Sequence, residues 1–123
     1  MRVLITGCSG WNEPDVVYER LAKLPSDTTI IHGCAYGADT HAGEAAKKLG
    51  FAVEEFPPDF ARYGVKATGK RNIAMTEASP DICIAFWNGK SSGTFHTMYN
   101  AVIRDIPVDV VMAKLPIIEY RHA

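Results

Sequence analysis

Three short segments of this chain combine glycine with small or polar residues: Gly7-Cys8-Ser9-Gly10-Trp11, Gly33-Cys34-Ala35-Tyr36-Gly37-Ala38-Asp39 and Asn88-Gly89-Lys90-Ser91-Ser92-Gly93-Thr94. Glycine lets the backbone approach an anion closely, and the free N–H groups and positive dipole end of a following helix favour phosphate. Glycine is also a common turn former, so any one segment alone reads equally well as a turn. Three of them point to a shared anion site. Arg71, directly after Lys70, adds a guanidinium that can grip phosphate oxygens in a bidentate fork at the start of a helix. Asp39 reads as a helix cap or as a partner for ribose hydroxyls, and Thr94 with Ser92 as a cap that also offers hydroxyls.

The elements that must hold these segments are strand-length apolar runs at Val3 to Thr6, Thr28 to His32, Phe51 to Phe56, Asp81 to Trp87 and Val108 to Ala113. Ile82-Cys83-Ile84-Ala85-Phe86 is continuously apolar, the pattern of a strand covered on both faces, hence of a parallel sheet. Helical patterns lie between the runs. The first extends roughly from Glu13 to Leu24, with Asn12 as its expected cap, Pro14 in its first turn and Pro25 beyond its end. The second, Ala38 to Leu49, offers Ala42, Ala45, Ala46 and Leu49 to the sheet and stops at Gly50. A third is expected from Lys70 to Ala78. The fourth carries Phe95, Met98, Tyr99 and Val102 at i, i+3, i+4 and i+7, an apolar face. Strands alternating with helices predict a Rossmann-like, doubly wound open α/β sheet of about five mainly parallel strands with helices on both faces. Ligands then bind outside the carboxyl ends of the strands, where the three glycine segments fall. The connection from Pro57 to about Gly69 reads as a long loop.

At 123 residues, the chain matches one domain, expected over residues 1–113, with a C-terminal tail of unknown role at 114–123. Composition is globular, 47% hydrophobic and 22% charged, and the net charge of −1 lacks the basic excess of a duplex-binding protein. Nucleic acid is therefore not the expected partner. No membrane span or export signal is read, and three cysteines without a CxxC pair suit a cytoplasmic location. His32, Cys34, Asp39 and His41 match no standard zinc spacing, so no metal is expected. Gly89-Lys90-Ser91 lacks the upstream glycine of a P-loop, where Ile84 stands. Thr6-Gly7-Cys8-Ser9-Gly10 lacks the third glycine of a dinucleotide fingerprint, where Asn12 stands. No resident cofactor is implied.

His32-Gly33-Cys34-Ala35-Tyr36-Gly37-Ala38-Asp39, then Gly69-Lys70-Arg71-Asn72 followed by Met75, then Gly89 with Gly93-Thr94, resemble in order and spacing the three blocks of YspA-type, YpsA-related SLOG domains. The superfamily also contains the DprA/Smf DNA-binding proteins and the LOG phosphoribohydrolases. The resemblance spans about residues 2–112 and implies a Rossmann-like fold that binds nucleotides or nucleotide-derived ligands. With the loop chemistry it marks Gly7, Cys8, Ser9, Gly33, Cys34, Ala35, Gly37, Asp39, Lys70, Arg71, Asn72, Gly89, Ser92, Gly93 and Thr94 as the ligand-binding set. Cys34 replaces the second glycine usual in relatives, and Tyr36 stands where a basic residue is frequent. Thr97 occupies the position of the glutamate that LOG enzymes use for glycosidic cleavage, a task that needs a carboxylate near the anomeric carbon.

The expectation is a binding module without chemistry of its own, a sensor or sequestering protein for an ADP-ribose-like or nucleotide ligand, assembled as a homo-oligomer. The alternatives are a hydrolase or transferase acting on an N-glycosidic or phosphate bond through Asp39, Asp59, Glu77 or His96, and single-strand DNA binding.

Overall fold

The apolar run at 82–87 becomes the second of two strands at the centre of the molecule because nothing in it needs water on either face. The structure, a computed structural model, describes residues 1–114. Five strands, β1 (Arg2–Gly7), β2 (Thr29–His32), β3 (Ala52–Glu55), β4 (Ile82–Trp87) and β5 (Val108–Met112), form one sheet in the order β3-β2-β1-β4-β5. Every pairing is parallel. The helices are α1 (Pro14–Leu21), α2 (Ala38–Leu49), a single turn α3 (Phe60–Tyr63), α4 (Ala67–Glu77) and α5 (Ser92–Val102). This is the Rossmann-like α/β architecture expected.

Alternation of side chains along each strand divides the core in two. Val3, Ile5, Ile30, Ile84 and Phe86 pack with Val17, Leu21, Ala42, Ala45 and Ala46 on the α1/α2 face. Leu4, Ile31 and Cys83 meet Met75, Ala101 and Ile106 on the α4/α5 face. Fully burying a Leu or Ile contributes about 1.5–3 kcal/mol, which is why so short a chain holds five strands together. Among the described residues, no helix is long and apolar enough to cross a membrane.

Element α2 runs from Ala38 to Leu49 as expected, closed by left-handed Gly50, whose N–H donates to the Ala46 carbonyl. Other expectations need correction. Asn12 does not cap α1; the N-cap position is Glu13, which makes no side-chain cap hydrogen bond. The stretch after Pro57 is not a structureless loop. Asp59 accepts the Arg62 N–H to start α3, a 3-10 turn at Gly64–Lys66 follows, and α4 begins at Ala67. Lys70 and Arg71 therefore lie in the second turn, away from the helix's free N–H groups. The apolar face of α5 points outward. Phe95, Tyr99 and Val102 are 54%, 55% and 60% exposed, while Thr94, Thr97, Asn100 and Ala101 are buried. Thr97 Oγ1 donates to the Gly93 carbonyl and Asn100 Nδ2 to the His96 carbonyl, so the polar face satisfies itself inside the helix and can lie on the sheet. The tail lies outside the described residues from 115 onward.

The loops after β1 and β2 are pressed together at Gly37, which has φ +79. A Cβ there would lie 2.5 Å from the Ser9 carbonyl oxygen and 2.6 Å from that of Cys8. Gly37→Ala is expected to combine left-handed strain with overpacking and to cost about 2–4 kcal/mol, lowering the melting temperature by about 10 °C or more. Gly10 has open space around it, and Gly10→Ala is expected to stay within about 0.5 kcal/mol of the parent. Equal melting temperatures for the two variants would show that the loops do not touch as described.

Candidate functional site

In the order β3-β2-β1-β4-β5 the chain reverses direction of travel between β1 and β4, so the loops leaving these two strands lead to helices on opposite faces of the sheet, the position at which an open parallel sheet offers a ligand crevice. Gly7 and Phe86 are paired at its floor. Cys8 folds back into this floor. Its N–H donates to the Phe86 carbonyl (3.1 Å), its carbonyl accepts from Trp11 (3.2 Å) and Ala38 (3.5 Å), and its side chain is buried. Burial pushes the Cys8 thiol above its usual range. Of the first glycine segment, Ser9 and Gly10 form the exposed tip and Gly7 is half-buried.

The segment after β2 is held by charged side chains. Asp39 Oδ2 accepts the Gly33 N–H (2.9 Å) and the Ala35 N–H (3.3 Å). The Arg71 guanidinium donates from Nη1 to the carbonyl of the same Gly33 and, from Nε, to Asn72 Oδ1 (2.8 Å). A Cβ on residue 33 would collide with that guanidinium. Asn72 Nδ2 in turn faces His96 Nδ1 (3.3 Å). Since Asn72 Oδ1 accepts from arginine, its amide nitrogen must donate, so Nδ1 of His96 accepts and Nε2 carries the proton. A polar chain thus runs from α2 through the β2 loop and α4 to α5. Burial pushes the Asp39 carboxyl up, opposed by the Ala35 and Gly33 N–H groups and then by His32 and Arg71. Burial likewise lowers Arg71, opposed by Asp39. Asp39 does not cap α2; the N-cap position is Gly37. A carboxylate in the first turn reaches back to the loop instead.

After β4, Asn88 Oδ1 accepts from the N–H groups of Lys90 and Ser91, both 2.9 Å, and Gly89 takes φ +81. Ser91, not Ser92 or Thr94, caps α5: its Oγ accepts from the Thr94 N–H (3.3 Å) and hydroxyl (2.9 Å). Ser92 and Gly93 are exposed in the first turn of α5, with nothing within 4 Å of a Cβ at residue 93. Lys70 Nζ lies 4.8 Å from the centre of the Tyr63 ring. Thr97 is fully buried.

Among the aromatic residues near the loops, Trp11 is buried edge-on against Phe86 (5.4 Å) and Trp87 lies beside Phe95 (6.2 Å). Tyr36 is 85% exposed. Glu55, absent from the expected set, is placed opposite His32 by the β2/β3 register, and it accepts the Cys34 thiol hydrogen at 3.3 Å. Burial and then this carboxylate push the Cys34 thiol up to about 11. Strand register is the signal that would have found Glu55, and spacing along the chain does not contain it.

Asp39 and Arg71 act on one residue, Gly33, through the peptide groups on either side of its Cα, so their effects should couple. Asp39→Ala leaves two N–H groups without a partner and is expected to cost about 2–4 kcal/mol in urea denaturation, with faster amide exchange at Gly33 and Ala35. Combined with Arg71→Met, the loss is expected to fall short of the sum by about 0.5–3 kcal/mol. Strict additivity would mean that the two side chains do not share the loop.

Comparison with known proteins agrees with this architecture. The X-ray structure of TM1055, a structural-genomics target, superposes with a TM-score of 0.70 at 20% identity, covering 87% of this chain and 71% of that one, which is a likeness of fold. The Gene 61 protein of Mycobacterium phage D29 is 40% identical over 116 residues, covering 87% of this chain and 93% of the relative. The sequence model of the YspA, cpYpsA-related SLOG family matches residues 1–63, the part that contains the β1 and β2 loops. On these grounds the chain belongs to the YspA, cpYpsA-related SLOG family.

Proposed function

We propose that residues 1–113 form a binding module for a phosphate-bearing, nucleotide-derived small ligand of the ADP-ribose or nucleotide class, acting as a sensor or sequestering protein. One observation carries the reading: the loops after β1 and β4 part at the reversal of strand order, with exposed Ser9, Gly10, Ser92 and Gly93 and the N-terminus of the 11-residue helix α5 on its rim. That is the setting in which backbone N–H groups receive phosphate. Family membership points to the same ligand class. Arg71 retains donors beyond those given to Gly33 and Asn72, and Tyr36 supplies a face on which a base can stack. The three free cysteines suit a reducing, cytoplasmic setting.

The processing alternative has less support. Asp39 is engaged by the loop, Asp59 starts α3, and Glu77 lies 3.9 Å from Arg104 at the end of α4 away from the crevice. Thr97 is buried with its hydroxyl inside α5, where it neither stabilises positive charge on ribose nor takes a proton from water. Native mass spectrometry of the freshly purified protein is expected to reveal a co-purified nucleotide. Ligand at about 100 times its dissociation constant is expected to add about 2.7 kcal/mol of stability, whereas no free base is released on long incubation with nucleoside monophosphates. A flat melting profile across a broad nucleotide panel would overturn the binding reading, and base release at enzyme-like rates would overturn the non-catalytic one.

The charge-free stripe of Phe95, Tyr99 and Val102, continued by exposed Val110 and Met112 on the outer strand β5, supports a homo-oligomer. A second copy related by a two-fold axis would bury the stripe against itself with no charge to desolvate. Tyr99→Glu is expected to convert the assembly to monomers in sedimentation velocity while leaving the melting temperature within a few degrees. An unchanged sedimentation coefficient would remove this face from the interface.

A further inference from the structure

On the other side of β2 from the crevice, α2 and the outer strand β3 enclose a groove of about 570 Å³ lined by His32, Cys34, Asp39, Glu44, Phe51 and Glu55, among others. His32 closes β2, Glu55 closes β3, and the parallel register sets them side by side. Cys34 follows in the loop. A histidine nitrogen, the Cys34 sulfur and a Glu55 oxygen all lie within 4.8 Å of one another. We infer that His32, Cys34 and Glu55 form a site for a thiophilic divalent cation of the zinc class, with its remaining coordination position open to the groove.

Two local features argue that this juxtaposition is built. Cys34 has φ +62, a conformation that costs an L-residue about 1–2 kcal/mol and glycine nothing, so the loop carries a side chain at a position where its absence would be cheaper. That side chain lands on the Glu55 carboxylate. Gly43 lies mid-helix in α2, where glycine costs about 1 kcal/mol relative to alanine. A Cβ there would stand 3.2 Å from His32 Nε2, so the glycine leaves room for the imidazole.

The chemistry of the three groups is complementary to such an ion. Thiolate, imidazole and carboxylate together suit zinc and its borderline neighbours better than calcium or magnesium, which take oxygen alone. The two anionic ligands neutralise a divalent charge. Coordination at about 2.0–2.3 Å in a tetrahedron separates donor atoms by about 3.3–3.8 Å, so the cluster must contract by about an ångström. The exposed side chains of Cys34 and Glu55 can supply this by rotation. His32 Nδ1 now accepts the Cys34 N–H at 3.0 Å. An entering cation takes that lone pair in exchange, Nε2–H stays towards Gly43, and the Cys34 proton passes to solvent.

The site is independent of the proposed nucleotide reading, and metal binding alone tests it. The chelator-stripped, reduced protein is titrated anaerobically with cobalt(II), then with zinc against a chromophoric competitor. The expected result is one equivalent bound, with a thiolate-to-cobalt charge-transfer band that zinc abolishes. Cys34→Ala is expected to lose the band, and Cys34→Ala and Glu55→Gln each to weaken zinc binding, the former by more than about 100-fold, the scale of a lost ligand as against an outer partner. His41→Gln, which removes an imidazole bonded to the Trp11 carbonyl outside the cluster, is expected to change nothing. Both ligand variants alter exposed side chains, so folding can be verified by melting. A folded parent without the charge-transfer band, or zinc affinity unaltered in Cys34→Ala or Glu55→Gln, would overturn the assignment.

Discussion

Gly33 is gripped on both sides: its N–H by the Asp39 carboxylate and its carbonyl by the Arg71 guanidinium. Everything at the carboxyl edge of β1 and β2 depends on that grip. It fixes the course of the loop between β2 and α2, and so brings Gly37 against the carbonyls of Cys8 and Ser9. It also anchors α4, whose Arg71 and Asn72 pass the constraint to His96 on α5. Three sequence blocks more than 60 residues apart at their extremes are thereby one hydrogen-bonded unit. Both charges are drawn from water to make it, as the opposed shifts of the two groups record. Removing Arg71 leaves Asp39 its two backbone N–H donors, whereas removing Asp39 leaves those N–H groups without a partner.

Strands β1, β2 and β4 were legible because burial on both faces writes a continuous apolar run, and α2 was legible because its dipole charges, small apolar stripe and terminal glycine agree. What failed did so for identifiable reasons. The apolar spacing of Phe95, Tyr99 and Val102 is a true helical face, but periodicity says nothing about which way a face points. Thr97 and Asn100 could take the sheet side because their polar atoms close onto the helix backbone. Asn12 missed the cap by one residue, since Pro14 already fixes the start of α1. The start of α4 was misplaced because the turn at Gly64–Lys66 feeds directly into it with no stop signal.

The candidate site was legible to a similar depth. Residue types in the glycine segments identified the sheet edge, and the structure separates their duties. Cys8, Gly33, Gly37 and Asp39 hold the loops to one another, whereas Ser9, Gly10, Ser92 and Gly93 are exposed where the loops part. A glycine needed for close loop packing and a glycine needed for close ligand approach look the same in a sequence. Only the neighbour of the absent Cβ distinguishes them.

The same edge of the sheet offers two electrostatic environments, and the gripped loop is the wall between them. Towards β4, helix α5 presents backbone N–H groups, which suits an anion. Towards β3, the side chains of Asp39, Glu44 and Glu55 line the groove, which suits a cation. Arg71 holds the loop by the carbonyl of Gly33 and Asp39 by its N–H. The next residue is Cys34, held at positive φ and bonded through its own N–H to His32. The two sides of this edge therefore meet at one residue, Gly33, whose N–H and carbonyl are held by side chains of opposite charge.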